Sequence, residues 1–103
     1  MIKKDIKKEI KRSEEKEDTD IKSIKNLIAL TKEYIKGNPS EAYAYEYLGM
    51  LLMIQEKYDE AEKLLLKAIE GNDSFAYNNL GGLYENVYQK YEEAEKLYQR
   101  CFE

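Results

Sequence analysis

The residue types that perform acid–base or covalent chemistry are sparse in this sequence. The chain has no histidine, which excludes Ser-His and Cys-His nucleophile pairs and histidine-based metal sites. Its single cysteine, Cys101, can form neither an internal disulfide nor a thiolate cluster, and such cysteine usage fits a reducing compartment. The carboxylates recur at spacings that place them on solvent faces of helices rather than in converging pairs. We therefore expect no enzyme activity, no metal and no cofactor.

A second set of residue types suits binding rather than chemistry. The stretch 41–54, EAYAYEYLGMLLMI, is apolar almost all round if it is helical, with only two charged residues. Spacings of four, three and four residues place Tyr43, Tyr47, Met50 and Ile54 on one stripe. Aromatic residues and methionine are common on surfaces that grip peptides or helices. Two interpretations stay open: the stripe contacts a protein partner, or the preceding helices cover Tyr43 and Tyr47.

Composition predicts that helices position this stripe. The chain has 103 residues, of which 43% are hydrophobic and 37% charged, with one proline and five glycines. Such a chain suits one all-α domain with few turns. Periodicity and stop signals predict five helices: about 19–37, 42–54, 58–70, 74–88 and 90–103. We expect Thr19 or Asp20 to cap the first helix, an Asn38–Glu41 capping box the second, and Ser74 the fourth.

Residues 1–18 differ from the rest of the chain. Residues 1–12 carry a net charge of +4 and residues 13–20 a net charge of −4. After Met1, the apolar side chains of this stretch are Ile2, Ile6 and Ile10, four residues apart. The segment is predicted either as a disordered charged leader or as a helix that docks its isoleucines onto the domain.

An internal repeat is the main organising feature of the chain. YEYLGMLL (45–52) returns as YNNLGGLY (77–84) at an offset of 32 residues, and YDEAEKLLLKA (58–68) returns as YEEAEKLYQRC (91–101) at an offset of 33. One residue has therefore been added in the internal turn of the second unit. A helical hairpin recurring at this period is typical of α-solenoids.

The repeated positions resemble the tetratricopeptide repeat, with additional features of the Sel-one-like repeat. They are Tyr45, Leu48, Gly49, Leu52, Ala61, Leu65 and Ala68, and then Tyr77, Leu80, Gly81, Tyr84, Ala94, Tyr98 and Cys101. The resemblance implies stacked antiparallel hairpins in a right-handed superhelix. It divides the domain, residues 19–103, into a degenerate helix (19–37), a first repeat (42–73) and a second repeat (74–103).

The resemblance also implies a concave partner-binding surface. This surface would continue the stripe of the first repeat onto the second through Phe75, Asn78, Asn79, Gly82 and Glu85. We expect Gly49 and Gly81 to allow close packing against Ala61 and Ala94. Gly82 has no such role. It is either a tolerated glycine or a position that leaves room in the groove.

The predicted function is that of a non-catalytic module that binds a peptide or a partner protein. Capture of chaperone carboxyl termini, known in the family, is rejected because Glu46 and Met50 stand where that activity needs a basic residue and an amide. The alternative is a homo-oligomer formed through an uncapped C-terminal edge with Tyr98, Cys101 and Phe102, and a weaker one is an accessory subunit of an enzyme complex. A net charge of −4 disfavours nucleic acid. No apolar run suggests a membrane span, and we expect a cytoplasmic, bacterial protein.

Overall fold

The computed structural model describes residues 2–101, with side chains described from Asp20 onwards. Within these residues the chain is all-α and forms stacked helical hairpins. The elements are α1 (Ile2–Gly37), α2 (Ala42–Ile54), α3 (Tyr58–Glu70), α4 (Ser74–Leu83), a π-helical segment (Tyr84–Tyr88) and α5 (Tyr91–Cys101). Helix α2 packs on α3, α4 packs on α5, and α3 joins the two hairpins by packing on α4. Helix α1 packs on α2.

Each turn after α2 uses a residue with positive φ to end a helix. In the first hairpin Glu56 has φ 61°, and the amide of Lys57 donates to the carbonyl of Leu52 over 2.9 Å. Between the hairpins Asn72 has φ 66°, and the amide of Asp73 donates to the carbonyl of Ala68 over 3.1 Å. These bonds satisfy carbonyls that a helix end leaves unpaired. The turns therefore reverse the chain within a few residues, which brings consecutive helices side by side.

The core runs through the interface of the two hairpins. Leu65, Leu80 and Leu83 are its largest fully buried side chains. Tyr45 is buried beside them, and its hydroxyl donates to the carbonyl of Pro39 over 2.7 Å. Helix α1 contributes Ile28 to a second buried cluster, which it forms with Leu48, Leu51, Leu52 and Ala61 of the first hairpin. Burying side chains of leucine size contributes about 1.5–3 kcal/mol each, so both clusters stabilise the stacked helices.

Both repeat glycines lie at close contacts, but the contacts are not with the side chains of Ala61 and Ala94 as expected. A Cβ at Gly49 would lie 3.0 Å from Cγ of Leu65 and 3.3 Å from the carbonyl oxygen of Ala61. A Cβ at Gly81 would lie 2.6 Å from the ring of Tyr98. The partner is therefore the larger residue one helical turn further along. Leu65 and Tyr98 are equivalent positions, so the same contact is built twice.

The residue added in the second unit is accommodated in the π-helical segment. In the first hairpin, the carbonyl of Leu52 accepts from the amide five residues later. Its equivalent, Tyr84, accepts from Lys90, six residues later, over 2.8 Å, and Gln89 takes the positive φ of 56°. One wide turn thus holds the additional residue, and α5 still places Tyr98 on Gly81.

Three predicted helix caps are wrong, although α2 and α4 begin at the expected residues, Ala42 and Ser74. Helix α1 runs without interruption through Thr19 and Asp20, so neither residue begins a helix. Helix α2 follows Glu41 without a side-chain cap, and the Asn38 amide instead donates to the carbonyl of Tyr34 over 3.0 Å. Asp73, rather than Ser74, caps α4, accepting from the amide of Ala76 over 3.2 Å.

The backbone of residues 2–18 continues α1, while the predicted docking of Ile2, Ile6 and Ile10 lies outside the described side chains. The predicted exposure of Phe102 also lies outside the described residues. The division into a leader and a repeat domain stays a prediction.

Candidate partner-binding groove

Exposed apolar side chains are concentrated along the seam between α1 and α2. They line a groove of about 420 Å³, which we name the α1–α2 groove. Its residues are Leu27, Leu30, Thr31 and Tyr34 on α1, and Tyr43, Ala44, Glu46 and Tyr47 on α2. Tyr43 remains 54% exposed and Tyr47 36% exposed. Helix α1 therefore forms one wall of an open groove and does not cover the two tyrosines.

Hydrogen bonds hold the walls of the groove. The hydroxyls of Tyr34 and Tyr43 share a hydrogen bond of 2.6 Å across the seam, and their ring centroids lie 6.1 Å apart. This bond raises the pKa of Tyr34 to about 12. Thr31, buried beneath the groove, donates to the carbonyl of Leu27 over 2.6 Å. The hydroxyls of Thr31, Tyr34 and Tyr43 thus have hydrogen-bond partners within the chain, which leaves mainly apolar surface for a ligand.

Glu46 is the acidic residue of the groove. Its side chain is half-buried and accepts a hydrogen bond from the amide of Asn79 on α4. Burial raises the pKa of the Glu46 carboxyl, the nearby charge of Asp73 raises it further, and the bond from Asn79 lowers it. The ionised carboxylate is therefore held where it is poorly solvated, and a cation placed in the groove would stabilise it.

The remaining predicted site residues on α2 and at the start of α4 lie at different places. Met50 is half-buried, and Ile54 lies beside Ile21 and Ile24 of α1 in a second groove. On α4, Phe75 is 72% exposed and Asn78 is also exposed. Tyr43 and Tyr47 thus line the same groove as Glu46, and Glu46 is hydrogen-bonded to Asn79. Ile54 lies apart from them in the second groove.

The last two predicted residues lie at the α4–α5 interface. Glu85 accepts a hydrogen bond of 2.6 Å from the hydroxyl of Tyr98. A Cβ at Gly82 would lie 3.9 Å from the same hydroxyl, an ordinary contact. Both positions are therefore near a side chain of α5. Whether any of the predicted residues binds a partner stays a prediction.

Six groove residues are absent from the predicted site: Leu27, Leu30, Thr31 and Tyr34 on α1, and Ala44 and Glu46 on α2. Leu27, Leu30 and Tyr34 are spaced by three and four residues, the spacing of one helical face. This stripe was detectable in the sequence. It is easily overlooked because it adjoins the stripe of Ile24, Ile28 and Ile35, and Leu27 can be counted in either stripe. The helix instead has two adjoining apolar faces, one packed on α2 and one exposed.

Tyrosine–carboxylate hydrogen bonds join the π-helical segment to α3 and to α5. Tyr84 donates to Glu62 over 3.0 Å, and Tyr88 donates to Asp59 over 2.9 Å. Burial, and then the bond to Glu62, raises the pKa of Tyr84 to about 12, whereas for Tyr88 the bond to Asp59 is the main cause of a pKa of about 12. The bond to Glu85 likewise raises the pKa of Tyr98 to about 12.

The described residues contain no cluster of three or more potential metal ligands. Within the same residues, none of the helices combines the length and the apolarity that a bilayer crossing requires. Cys101 is half-exposed, and its thiol lies 3.5 Å from the carbonyl oxygen of Ser74.

Stacked hairpins with a repeated glycine contact and an exposed apolar groove define a helical-repeat protein. A family model described as tetratricopeptide repeat matches residues 42–72, the first hairpin with its following turn. The chain is thus similar to tetratricopeptide-repeat proteins in this unit, as its Tyr45, Leu48 and Gly49 pattern indicated. The resemblance to the Sel-one-like repeat stays a prediction. Comparison with curated proteins gave no match.

Proposed function

We propose that this chain is a non-catalytic module that binds a protein partner, and that a segment of the partner lies in the α1–α2 groove. Repeats of the tetratricopeptide family generally mediate contacts between proteins, which supports the class of function. The observation that supports the location is the set of exposed apolar residues on both walls of one groove: Leu27, Leu30, Tyr34, Tyr43 and Tyr47. Contiguous apolar surface of this kind marks interaction sites on folded proteins.

The groove has the composition of an interface centre. Tyrosines supply large, rigid contact area, and the shared hydroxyl bond of Tyr34 and Tyr43 fixes two of them before a partner arrives. Little side-chain freedom is then lost when the partner binds. An apolar side chain of the partner would insert between the walls, and its polar neighbours would remain at the rim.

Matched alanine variants test the location. Tyr47→Ala removes a groove tyrosine, and Tyr91→Ala removes an exposed tyrosine of α5, outside the groove. With the full chain immobilised and partners captured from cell extract, Tyr47→Ala should weaken capture about tenfold, the usual effect of losing an interface anchor. Tyr91→Ala should leave capture unchanged. Equal loss in both variants would contradict the proposal.

A second pair separates binding from folding. Leu30 is 67% exposed on α1, and Leu66 is 43% exposed on α3. Leu30→Ala should weaken capture and Leu66→Ala should not, while circular dichroism shows equal helicity in both variants. Met50→Glu, which lies outside the groove, tests the predicted stripe separately and should also weaken capture if the stripe contacts the partner. If Tyr47→Ala and Leu30→Ala unfold the chain, these residues are structural, and the groove is not the binding site.

Self-association through the C-terminal edge is the alternative, and the described residues support it less. At this edge the hydroxyl of Tyr98 is bonded to Glu85, and the guanidinium of Arg100 lies 5.9 Å from the ring centroid of Tyr77. The aromatic residues there already have polar partners within the chain. A role as an accessory subunit, a cytoplasmic location and a bacterial source stay predictions from the sequence.

A further inference from the structure

We propose that the segment bound in the α1–α2 groove is an amphipathic α-helix of a different protein, which packs antiparallel to α1 and completes α1 as a helical hairpin. The inference rests on the proposed function of the groove and names the kind of segment that binds there. In each hairpin of this chain a first helix, α2 or α4, packs on a second helix, α3 or α5. Helix α1 has the sequence and the packing of a second helix.

The end of α1 repeats the end of α3. TKEYIKGN (31–38) returns as LLKAIEGN (65–72) at an offset of 34 residues, with an isoleucine, a glycine and an asparagine in register. Helix α1 also packs on the first helix that follows it, α2, as α3 packs on α4. The two helices are therefore equivalent elements of the repeat.

Side-chain contacts follow the same equivalence. Ile28 of α1 lies in one buried cluster with Leu52 of α2. The residue equivalent to Ile28 is Glu62 of α3, which accepts a hydrogen bond from Tyr84, the residue equivalent to Leu52. An offset taken from the sequence thus matches neighbours in space.

The groove residues of α1 are equivalent to the residues of α3 that line the inside of its hairpin. At the offset of 34 residues, Leu27, Leu30, Thr31 and Tyr34 correspond to Ala61, Leu64, Leu65 and Ala68. On α3, Ala61 and Leu65 are fully buried and lie over Gly49 of α2. On α1, Leu27 is 38% exposed and Tyr34 is 41% exposed. The face that α2 covers on α3 is therefore open on α1.

Two equivalent glycines indicate where the bound helix begins. A Cβ at Gly71 would lie 2.6 Å from Cβ of Ala42, the first residue of α2. A Cβ at the equivalent Gly37 would have no atom of the described residues within 4 Å. The bound helix would therefore begin beside Gly37 and run along α1 towards Leu27. A helix as long as α2, 13 residues, spans about 20 Å and covers this wall.

The walls of the groove determine the face that the bound helix presents. Both walls are lined mainly by leucines and tyrosines, and Glu46 is the acidic residue among them. Lys25, Lys32 and Lys36 lie on the opposite side of α1, because a helix turns by about 100° per residue. The charges of α1 thus point away from the groove. The bound helix should carry apolar residues spaced by three and four towards the groove and polar residues towards solvent.

The described helices of the chain do not supply this helix. The backbone of α1 is uninterrupted from Ile2, so the residues directly before the groove continue α1 and do not turn back over it. The first helices of a second copy, α2 and α4, are already packed in their own hairpins. A helix of a different protein can bind without opening either hairpin.

A first helix supplied within the chain tests whether the groove accepts one. Residues 73–90 contain α4 and the turn that leads into α5 at Tyr91, which is equivalent to Ile24 of α1. A second copy of residues 73–90, inserted between Ser23 and Ile24 of the full chain, would place a first helix beside the groove wall. The control insertion carries Leu80→Asp and Leu83→Asp in the inserted copy, which interrupt α1 equally but cannot pack.

Acetylation of tyrosines by N-acetylimidazole, quantified by mass spectrometry, measures the packing. Tyr43 is 54% exposed in the groove, and Tyr91 is 62% exposed outside it. The insertion should lower the acetylation of Tyr43 several-fold relative to the control insertion, and Tyr91 should react equally in both. Tm should rise by about 4–8 °C or more relative to the control insertion.

Capture of partners from cell extract then tests whether the partner uses the same position. The insertion should weaken capture about tenfold or more because the groove is filled, and the control insertion should retain capture. If circular dichroism shows that the insertion unfolds the chain, photocrosslinking replaces it. A benzophenone on Gly37→Cys or on Leu27→Cys, each combined with Cys101→Ser, should react with one helix of the partner. The site reached from position 37 should lie about 10 residues before the site reached from position 27.

Three results would overturn the inference. Equal acetylation of Tyr43 in the two insertions, or crosslinks in the opposite order, would show that the groove does not take an antiparallel helix. The proposed function would then stand or fall separately on Tyr47→Ala. Full capture by an insertion that protects Tyr43 would refute the groove as the binding site as well. A dimer of the unaltered chain that the insertion abolishes would assign the bound helix to a second copy and refute its assignment to a different protein.

Discussion

Replacing each of the two adjacent glycines of α4 with alanine tests how α5 packs on α4, because the two positions have different surroundings. Neither glycine has a positive φ, so alanine fits the backbone at both. A methyl group at Gly82 would have the Tyr98 hydroxyl 3.9 Å away as its nearest neighbour. Gly82→Ala should therefore raise the free energy of unfolding by about 0.5–1 kcal/mol, the ordinary helix-propensity difference.

At Gly81 the same methyl group would overlap the ring of Tyr98. The carbon–carbon distance of 2.6 Å is about 1 Å below a normal contact. Displacing the ring costs about 1–3 kcal/mol by overpacking, and losing its bond to Glu85 costs about 1 kcal/mol more. After the propensity gain, Gly81→Ala should lower the free energy of unfolding by about 1–3 kcal/mol.

Urea denaturation followed by circular dichroism measures both changes, and Tm should move by about 4–8 °C per kcal/mol. Combining Gly81→Ala with Tyr98→Ala provides the control, because without the ring the alanine at 81 should be neutral or stabilising. If Gly81→Ala alone stabilises the chain as much as Gly82→Ala does, the ring is not seated on Gly81 and the reasoning is refuted.

Three further perturbations have expected outcomes. Gly71→Ala should destabilise the fold by about 1–3 kcal/mol, because its methyl group would lie 2.6 Å from Cβ of Ala42. The control is Gly37→Ala, whose methyl group would have nothing within 4 Å and should not destabilise the fold. Urea denaturation measures both changes. Because the pKa of Glu46 is raised in the folded chain, stability should fall as pH rises from about its ordinary value of 4.5. Glu46→Gln should remove that fall in melts recorded between acidic and neutral pH, and an unchanged slope would contradict the burial of this carboxyl. Stability should also fall as pH rises from 10 towards about 12, because the tyrosines of the unfolded chain then lose their protons, whereas Tyr34, Tyr84, Tyr88 and Tyr98 keep theirs in the folded chain up to a pKa of about 12. Absorbance titration should show this late ionisation.

The repeat made the hairpins predictable. Tyr45, Leu48 and Ala61 recur as the same residue types at matched offsets, and one packed interface used twice explains such recurrence. The partners of the glycines were less predictable, because side chains on a helix lean toward its N-terminus and cover the preceding turn. Leu65 and Tyr98 therefore fill the space over Gly49 and Gly81 that was assigned to the alanines.

Helix limits and one wall of the groove were less predictable for other physical reasons. Thr19 can cap a helix, but it can also lie within one when the flanking lysines and glutamates have high helix propensity. Asp73 and Ser74 are both good caps, and the turn at Asn72 decides between them. The groove depends on how α1 lies across α2, which the spacing within either helix alone does not determine.

The wide turn at Tyr84–Tyr88 is a place where a chain of this kind can gain or lose a residue between two helices. Since the added residue is absorbed within a few positions, the helix after it keeps its alignment with the helix before it. Insertions or deletions at this point alter the loop outline while preserving the stacking of neighbouring hairpins. A repeat search with one fixed period would therefore place α5 one residue out of register with α3. Using separate offsets for the first and second helices of each unit aligns both units.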